Sequence, residues 1–342
     1  MKHAVIKTDY GVILPFRELK LPLDLHELSG GLPRAELEIG FGNGEFMVAG
    51  AMARPDTLFL GMEVSASCVM RCARRVGRLR TETPVAAGNS PGAGNPPGVL
   101  GNLKIACTDA RFMMKEFFDD ASLDRVTMNF PCPWPKKRHA RRRVTAREFA
   151  DELAAVLKVG GVFELVTDEE WYALDAQKIL GQHEALSAAA CETNPARPIT
   201  TKYERKWLEM GKNIVRLNVT KTENFTVDRQ TWGKECGTMH VKTGKPLPGG
   251  GLAFLLDASG TREDARWVFK KYYTISAEQK KHRTFLVETV SADDEFEQRY
   301  YLKVIERGND VLVKLDGTAR AYLTPAVRFS VEDLARRLAE EA

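Results

Sequence analysis

The N-terminal two-thirds of the chain alternates short apolar runs with amphipathic stretches. Ala35–Ile39, Thr57–Val64, Leu103–Cys107, Arg125–Asn129 and Val162–Val166 are rich in β-branched and aliphatic residues and predict five strands. Between them, Glu45 to about Ala53 and Ala66–Leu79 carry helical periodicity. Thr145 and Glu148 have capping-box spacing, which predicts a helix from Ala146 that stops at Gly160-Gly161. Strands separated by helices pair in parallel, with helices on both faces. The expected architecture is therefore α/β with a Rossmann-like sheet. Thr81–Gly101, rich in Pro, Gly and small residues, cannot build a core and is expected as a flexible surface insertion.

After about Thr220 the rhythm changes. Leu252–Leu256, Thr284–Thr289, Tyr300–Glu306 and Val311–Leu315 predict strands, while Glu263–Tyr273 and Val331–Glu341 predict helices, with Ser330 as the cap of the second. Consecutive strands without intervening helices point to a smaller α+β domain. The expected organisation is residues 1–220 and 221–342, in keeping with a length of 342 residues.

Composition narrows the function classes. Fifty Lys and Arg against 46 Asp and Glu give a net charge of only +4, so any attraction for nucleic acid must be local. The six cysteines show no metal or disulfide spacing, which predicts reduced thiols, a cytoplasmic setting and no metal. MKHAVIKTDYGVILP has no continuous apolar stretch and no run is long enough to span a bilayer, so neither a leader nor a membrane partner is expected.

Candidate chemistry sits at the expected strand ends. Glu38 precedes a glycine turn with Gly40, Gly42 and Gly44, in G-x-G-x-G spacing rather than the dinucleotide fingerprint. Glycines let the backbone turn tightly against a ligand whose carboxylate would meet the N–H groups, and the acid can pair with an ammonium. Glu63 closes the second strand, where a carboxylate can accept ribose hydroxyls, and Asp109-Ala110 follows the third, suited to an adenine amino group. Taken singly each acid is a solvated strand cap; three in succession resemble the S-adenosylmethionine site of class I methyltransferases. After the fourth strand, prolines stiffen FPCPWPKKRHARRR, whose basic residues at a sheet end are placed to grip phosphates.

Three segments together resemble the tRNA (guanine-N7)-methyltransferase family: FPCPWPKKRHARRR, Thr167-Asp168 with Tyr172, and Thr201-Lys202-Tyr203-Glu204. Their order and spacing match over about Leu37–Leu217. The resemblance implies methyl transfer from S-adenosylmethionine to N7 of a guanine in tRNA, in its variable loop. It implies donor contacts from Glu38, Glu63 and Asp109, and tRNA contacts from Lys136, Asp168 and Thr201, Lys202, Tyr203 and Glu204. One departure stands out: Cys132 occupies the place of the family's usual acid. A thiol there leaves two alternatives open, a cytosine-C5 methyltransferase with Cys132 as nucleophile or a tRNA-binding protein without catalysis. Lys270, Lys271, Lys280, Lys281 and Arg283, with Tyr272 and Tyr273 between them, read either as an RNA contact or, the preferred expectation, as a solvated helix end with core tyrosines. A monomer and a homodimer both remain open.

Overall fold

The computed structural model describes residues 8–15, 20–82, 99–135, 143, 147–229, 239–275, 283–293, 296–317 and 321–342. The chain divides into two compact units, Met1–Arg229 and Gln230–Ala342. Most of the insertion expected at residues 81–101 lies outside the described residues, as does the cap expected at Thr145. Among the described residues no helix is long and apolar enough to cross a membrane.

In the first unit, helix α1 (Leu25–Ser29) precedes β1 (Arg34–Ile39), α2 (Glu45–Ala53), β2 (Thr57–Glu63) and α3 (Ala66–Glu82). There follow β3 (Leu103–Cys107), α4 (Ala110–Phe117), β4 (Leu123–Asn129), α5 (Arg147–Val156) and β5 (Leu157–Thr167). The unit ends with α6 (Glu170–Leu180), β6 (Leu186–Ala188), β7 (Glu192–Thr193), α7 (Lys202–Glu209) and β8 (Val215–Lys221). The sheet order is β3-β2-β1-β4-β5-β8-β6, with β7 also on β8. Strands β1 to β5 run parallel; β8 is antiparallel to β5. This is the expected Rossmann-like α/β sheet, with helices packed on it. Every residue of β2 is buried, because a parallel strand covered on both faces has no solvent side. Strand order reverses between β1 and β4, which opens a crevice at their C-terminal ends.

One expectation fails here. Helix α5 ends at Val156, not at the glycines, and β5 begins at once with Leu157. Pairing jumps from Leu123–Leu157 to Arg125–Val162, so Lys158–Gly161 form an irregularity within the strand. Gly160 supplies its φ of +82°.

The second unit carries β9 (His240–Lys242), β10 (Ser259–Arg262), β11 (Ala265–Thr274), β12 (Thr284–Asp293), β13 (Phe296–Arg307) and β14 (Asp310–Leu315), then α8 (Pro325–Glu341). They form an antiparallel sheet, β10-β11-β12-β13-β14-β9, on which α8 packs, and Leu334 and Leu338 share one buried core with Trp267, Phe269 and Leu302. Three predicted elements are corrected. Glu263–Tyr273 is not helical: Ala265, Trp267 and Phe269 alternate inward on β11, and a bulge between Phe269 and Lys271 shifts the pattern toward an apparent helical period. Leu252–Leu256 is a 3-10 turn over Ala253–Leu255 rather than a strand. The last helix starts at Pro325 with Thr324 as its cap, whereas Ser330 is buried within it against the Tyr300 hydroxyl at 2.8 Å. Tyr272 packs partly on the core and Tyr273 is exposed; Lys280 and Lys281 lie outside the described residues.

Candidate active site

Glu38 and Asn129 terminate the two strands that flank the crevice. Asn129 Nδ2 donates to Glu38 Oε1 at 3.0 Å. The other carboxylate oxygen, Glu38 Oε2, is buried and has no hydrogen-bond partner among the described residues. Burial pushes the Glu38 carboxyl up to about 7, opposed by the Asn129 hydrogen bond, a Met47 backbone hydrogen bond and the Arg197 charge, and reinforced by the Glu63 charge.

The glycine turn follows. Gly40, Gly42 and Gly44 have φ of +69°, +54° and +72°, all in the left-handed region. Gly44 is the N-cap of α2, and a Cβ there would lie 2.4 Å from Cys72 Sγ. At Gly40 and Gly42 a Cβ would meet nothing within 4 Å, so only their backbone conformation demands glycine.

Glu63 is buried at the end of β2 and holds that turn in place. Its Oε2 accepts from the Gly42 N–H at 3.0 Å and its Oε1 from the Ser65 N–H at 2.9 Å. Asp109 caps α4 by accepting from the Arg111 N–H at 3.0 Å, with Ala110 buried behind it. It also binds the Arg111 guanidinium through both oxygens, a partner that sequence alone does not suggest.

The predicted tRNA-facing residues divide. Thr201 and Glu204 form a reciprocal capping box at the start of α7. Glu204 is buried and accepts from Arg197 Nη1 at 2.6 Å. These two side chains therefore stabilise a helix start, and Glu204 is turned toward the protein interior. Lys202 and Tyr203 occupy the first turn of α7; their side chains lie outside the described set, as does Lys136. Asp168, just past β5, accepts from Lys212 Nζ at 2.5 Å, and this hydrogen bond raises the Lys212 ammonium above its usual range. Cys132 is exposed on the loop after β4. That loop places Phe130 and Trp134 at φ of +51° and +44°, conformations in which non-glycine residues are strained.

Sequence reasoning missed Arg197, whose side chain is only 3% exposed. Besides Glu204, it donates through Nη2 to Asn129 Oδ1 at 2.6 Å and lies 3.7 Å from Glu164 Oε1 on β5. A continuous chain of contacts, Glu38–Asn129–Arg197–Glu204, thus runs from the crevice to the start of α7. Nothing local in its sequence, NPARPIT, distinguishes this arginine from a surface one.

Residues 34–217 match the family model described as "Putative methyltransferase". A tRNA (guanine-N(7)-)-methyltransferase of Thermotoga maritima is 34% identical over 325 residues, covering 94% of this chain and 93% of that protein. One from Aquifex aeolicus is 25% identical over 332 residues, 94% and 98% of the respective chains. Both alignments are long enough to include the second unit. One from Saccharophagus degradans is 34% identical over 197 residues, 56% of this chain and 78% of its own. The chain belongs to the tRNA (guanine-N(7)-)-methyltransferase family.

Proposed function

We propose that the protein transfers a methyl group from S-adenosylmethionine to N7 of a guanine in the variable loop of tRNA. The observation that carries the reading is Glu38 Oε2, a buried carboxylate oxygen without a partner among the described residues, beside a turn of three left-handed glycines. A buried acceptor of this kind calls for a cationic donor; the N–H groups of Gly40, Gly42 and Gly44 are given to the Met62 carbonyl, Glu63 and the Phe41 carbonyl, so a carboxylate would be met by the Phe41 and Asn43 N–H groups between them. These residues fit the methionine end of S-adenosylmethionine: Glu38 for its ammonium, the Gly40–Gly44 backbone for its carboxylate. Glu63 would take the ribose hydroxyls on the lone pairs that Gly42 and Ser65 leave unused. Asp109, which also accepts from Arg111, would accept from the adenine amino group.

When bound, S-adenosylmethionine supplies an electrophilic methyl carbon on a sulfonium. Guanine N7 has a free lone pair, so the protein need remove no proton. What remains is alignment of the reacting atoms in line and stabilisation of the cation forming on the ring. Asp168 would accept from guanine N1–H and N2–H on the lone pairs that Lys212 leaves unused, whereas Glu204 is buried and committed both to Arg197 and to the cap of α7. Lys136 and the basic residues after it would hold the backbone phosphates. The target base must leave its stack, which costs a few kcal/mol. Cys132 has no proton to take and is a part of the loop rather than a catalyst.

Incubating the protein with labelled S-adenosylmethionine and bulk tRNA, then analysing nucleosides by mass spectrometry, tests the reading. We expect 7-methylguanosine. Labelled 5-methylcytidine, or no labelled nucleoside, would refute it.

A further inference from the structure

Helix α6 has two apolar faces, and only one is explained by packing. Tyr172, Ala173, Ala176 and Leu180 are buried against the unit. On the opposite side, Trp171, Leu174, Asp175 and Lys178 follow i, i+3, i+4, i+7 spacing. Trp171 is 38% and Leu174 48% exposed. With Pro135 and Arg143 these four residues line a groove of about 530 Å³.

The groove is built rather than incidental. The Arg143 guanidinium lies 5.1 Å from the centre of the Trp171 ring. Arg143 is held there by Asp175 at 3.2 Å and by the Trp134 carbonyl at 3.3 Å. The indole N–H of Trp171 donates to Glu169 Oε2 at 3.0 Å, which fixes the ring plane. A fixed indole, a cation stacked on it and a second cation at Lys178 suit a flat aromatic ring tied to a phosphate. Asp175 and Arg143 neutralise each other, so Lys178 supplies the net charge for the phosphate and Arg143 contributes N–H donors. Pro135 and Arg143 also bracket, in sequence, the densest basic run of the chain. The helix starts two residues beyond Asp168, and Trp171 lies in its first turn.

We propose that this groove is a subsite for an unstacked nucleotide of the RNA substrate, next to the target guanine. Its base stacks on Trp171 and its phosphate meets Arg143 and Lys178. The proposal rests on the tRNA reading above and adds a second point of grip.

The test uses the full-length protein with Trp171→Ala, Trp171→Phe and Lys178→Ala. Affinity for tRNA is measured by filter binding, affinity for S-adenosylmethionine by calorimetry, and product by nucleoside mass spectrometry. Trp171→Ala is expected to weaken tRNA binding roughly five- to hundredfold, with an unaltered S-adenosylmethionine Kd, and Trp171→Phe to recover most of the loss. Lys178→Ala should lower the slope of log affinity against log salt by about one. Wild-type tRNA affinity in Trp171→Ala overturns the subsite, whatever the product. Equal losses for tRNA and S-adenosylmethionine, without rescue by Phe, also overturn it by showing a structural role. If the wild type makes no 7-methylguanosine yet Trp171→Ala still releases tRNA, the subsite stands and the proposed reaction falls.

Discussion

Asn129 and Arg197 lie 68 positions apart, yet their side chains meet at 2.6 Å. Through that contact the arginine reaches the acid at the floor of the crevice, because Asn129 accepts from Arg197 on its carboxamide oxygen and donates its N–H to Glu38. The orientation of the amide is therefore dictated from both sides.

Removing the guanidinium strands the buried Glu204 and the half-buried Asn129 and Glu164 at once. Arg197→Ala is expected to destabilise the first unit by about 3–5 kcal/mol, the cost of breaking a buried ion pair. Arg197→Lys should recover only part, since an ammonium cannot span Glu204 and Asn129 as a fork does. Urea unfolding of the variants, with Glu204→Gln closing a double-mutant cycle, measures the coupling; additive effects would contradict it.

Glu38 predicts a pH dependence. Its carboxyl, pushed up to about 7 by burial, is mostly protonated at about pH 6 and ionised at about pH 8. Only the ionised form attracts an ammonium, so S-adenosylmethionine binding should strengthen as pH rises through 7. Glu38→Gln should bind more weakly and lose this rise. For stability the sign is opposite: a folded pKa above the unfolded value favours the folded state at low pH, and that advantage fades between about 4.5 and 7. Calorimetric titration and thermal melts across that range report the two trends separately.

The glycines differ in what they protect. Gly42→Ala meets only a backbone penalty of about 1–2 kcal/mol. Gly44→Ala adds a clash with Cys72, for a total of about 3 kcal/mol. Placing both changes in a Cys72→Ala background should narrow the gap between them, as read by denaturant midpoints.

Cys132→Ala distinguishes two chemistries. Attack by N7 needs no base, so activity should fall by less than about tenfold, well short of the 10²–10⁴ that a lost general base costs. Complete loss, with a 5-fluorocytidine adduct trapped by the wild type, would instead identify a nucleophilic thiol.

Much of the first unit was legible because parallel strands buried on both faces leave short, nearly continuous apolar runs, as in TLFLGME. The glycine turn and the acids at strand ends were legible for the same reason: strand ends could be located. The second unit was less so. Trp267, Val268, Phe269, Tyr272 and Tyr273 satisfy a helical count as readily as an alternating one once a bulge intervenes. The capping role of Glu204 and the hub at Arg197 depend on contacts between distant segments, which no local pattern encodes.

The neighbours of Arg197 have one more consequence. Arg197 faces Glu204 and Glu164, Arg125 lies 3.6 Å from Glu164 as a second guanidinium, and Glu38 stands behind Asn129, so it is the ionised form of Glu38 that tips the crevice floor toward negative charge. Such a floor sorts guests by charge. A donor that has surrendered its methyl has also surrendered its sulfonium charge, and would be held less firmly than a fresh one, so that turnover itself loosens the spent molecule.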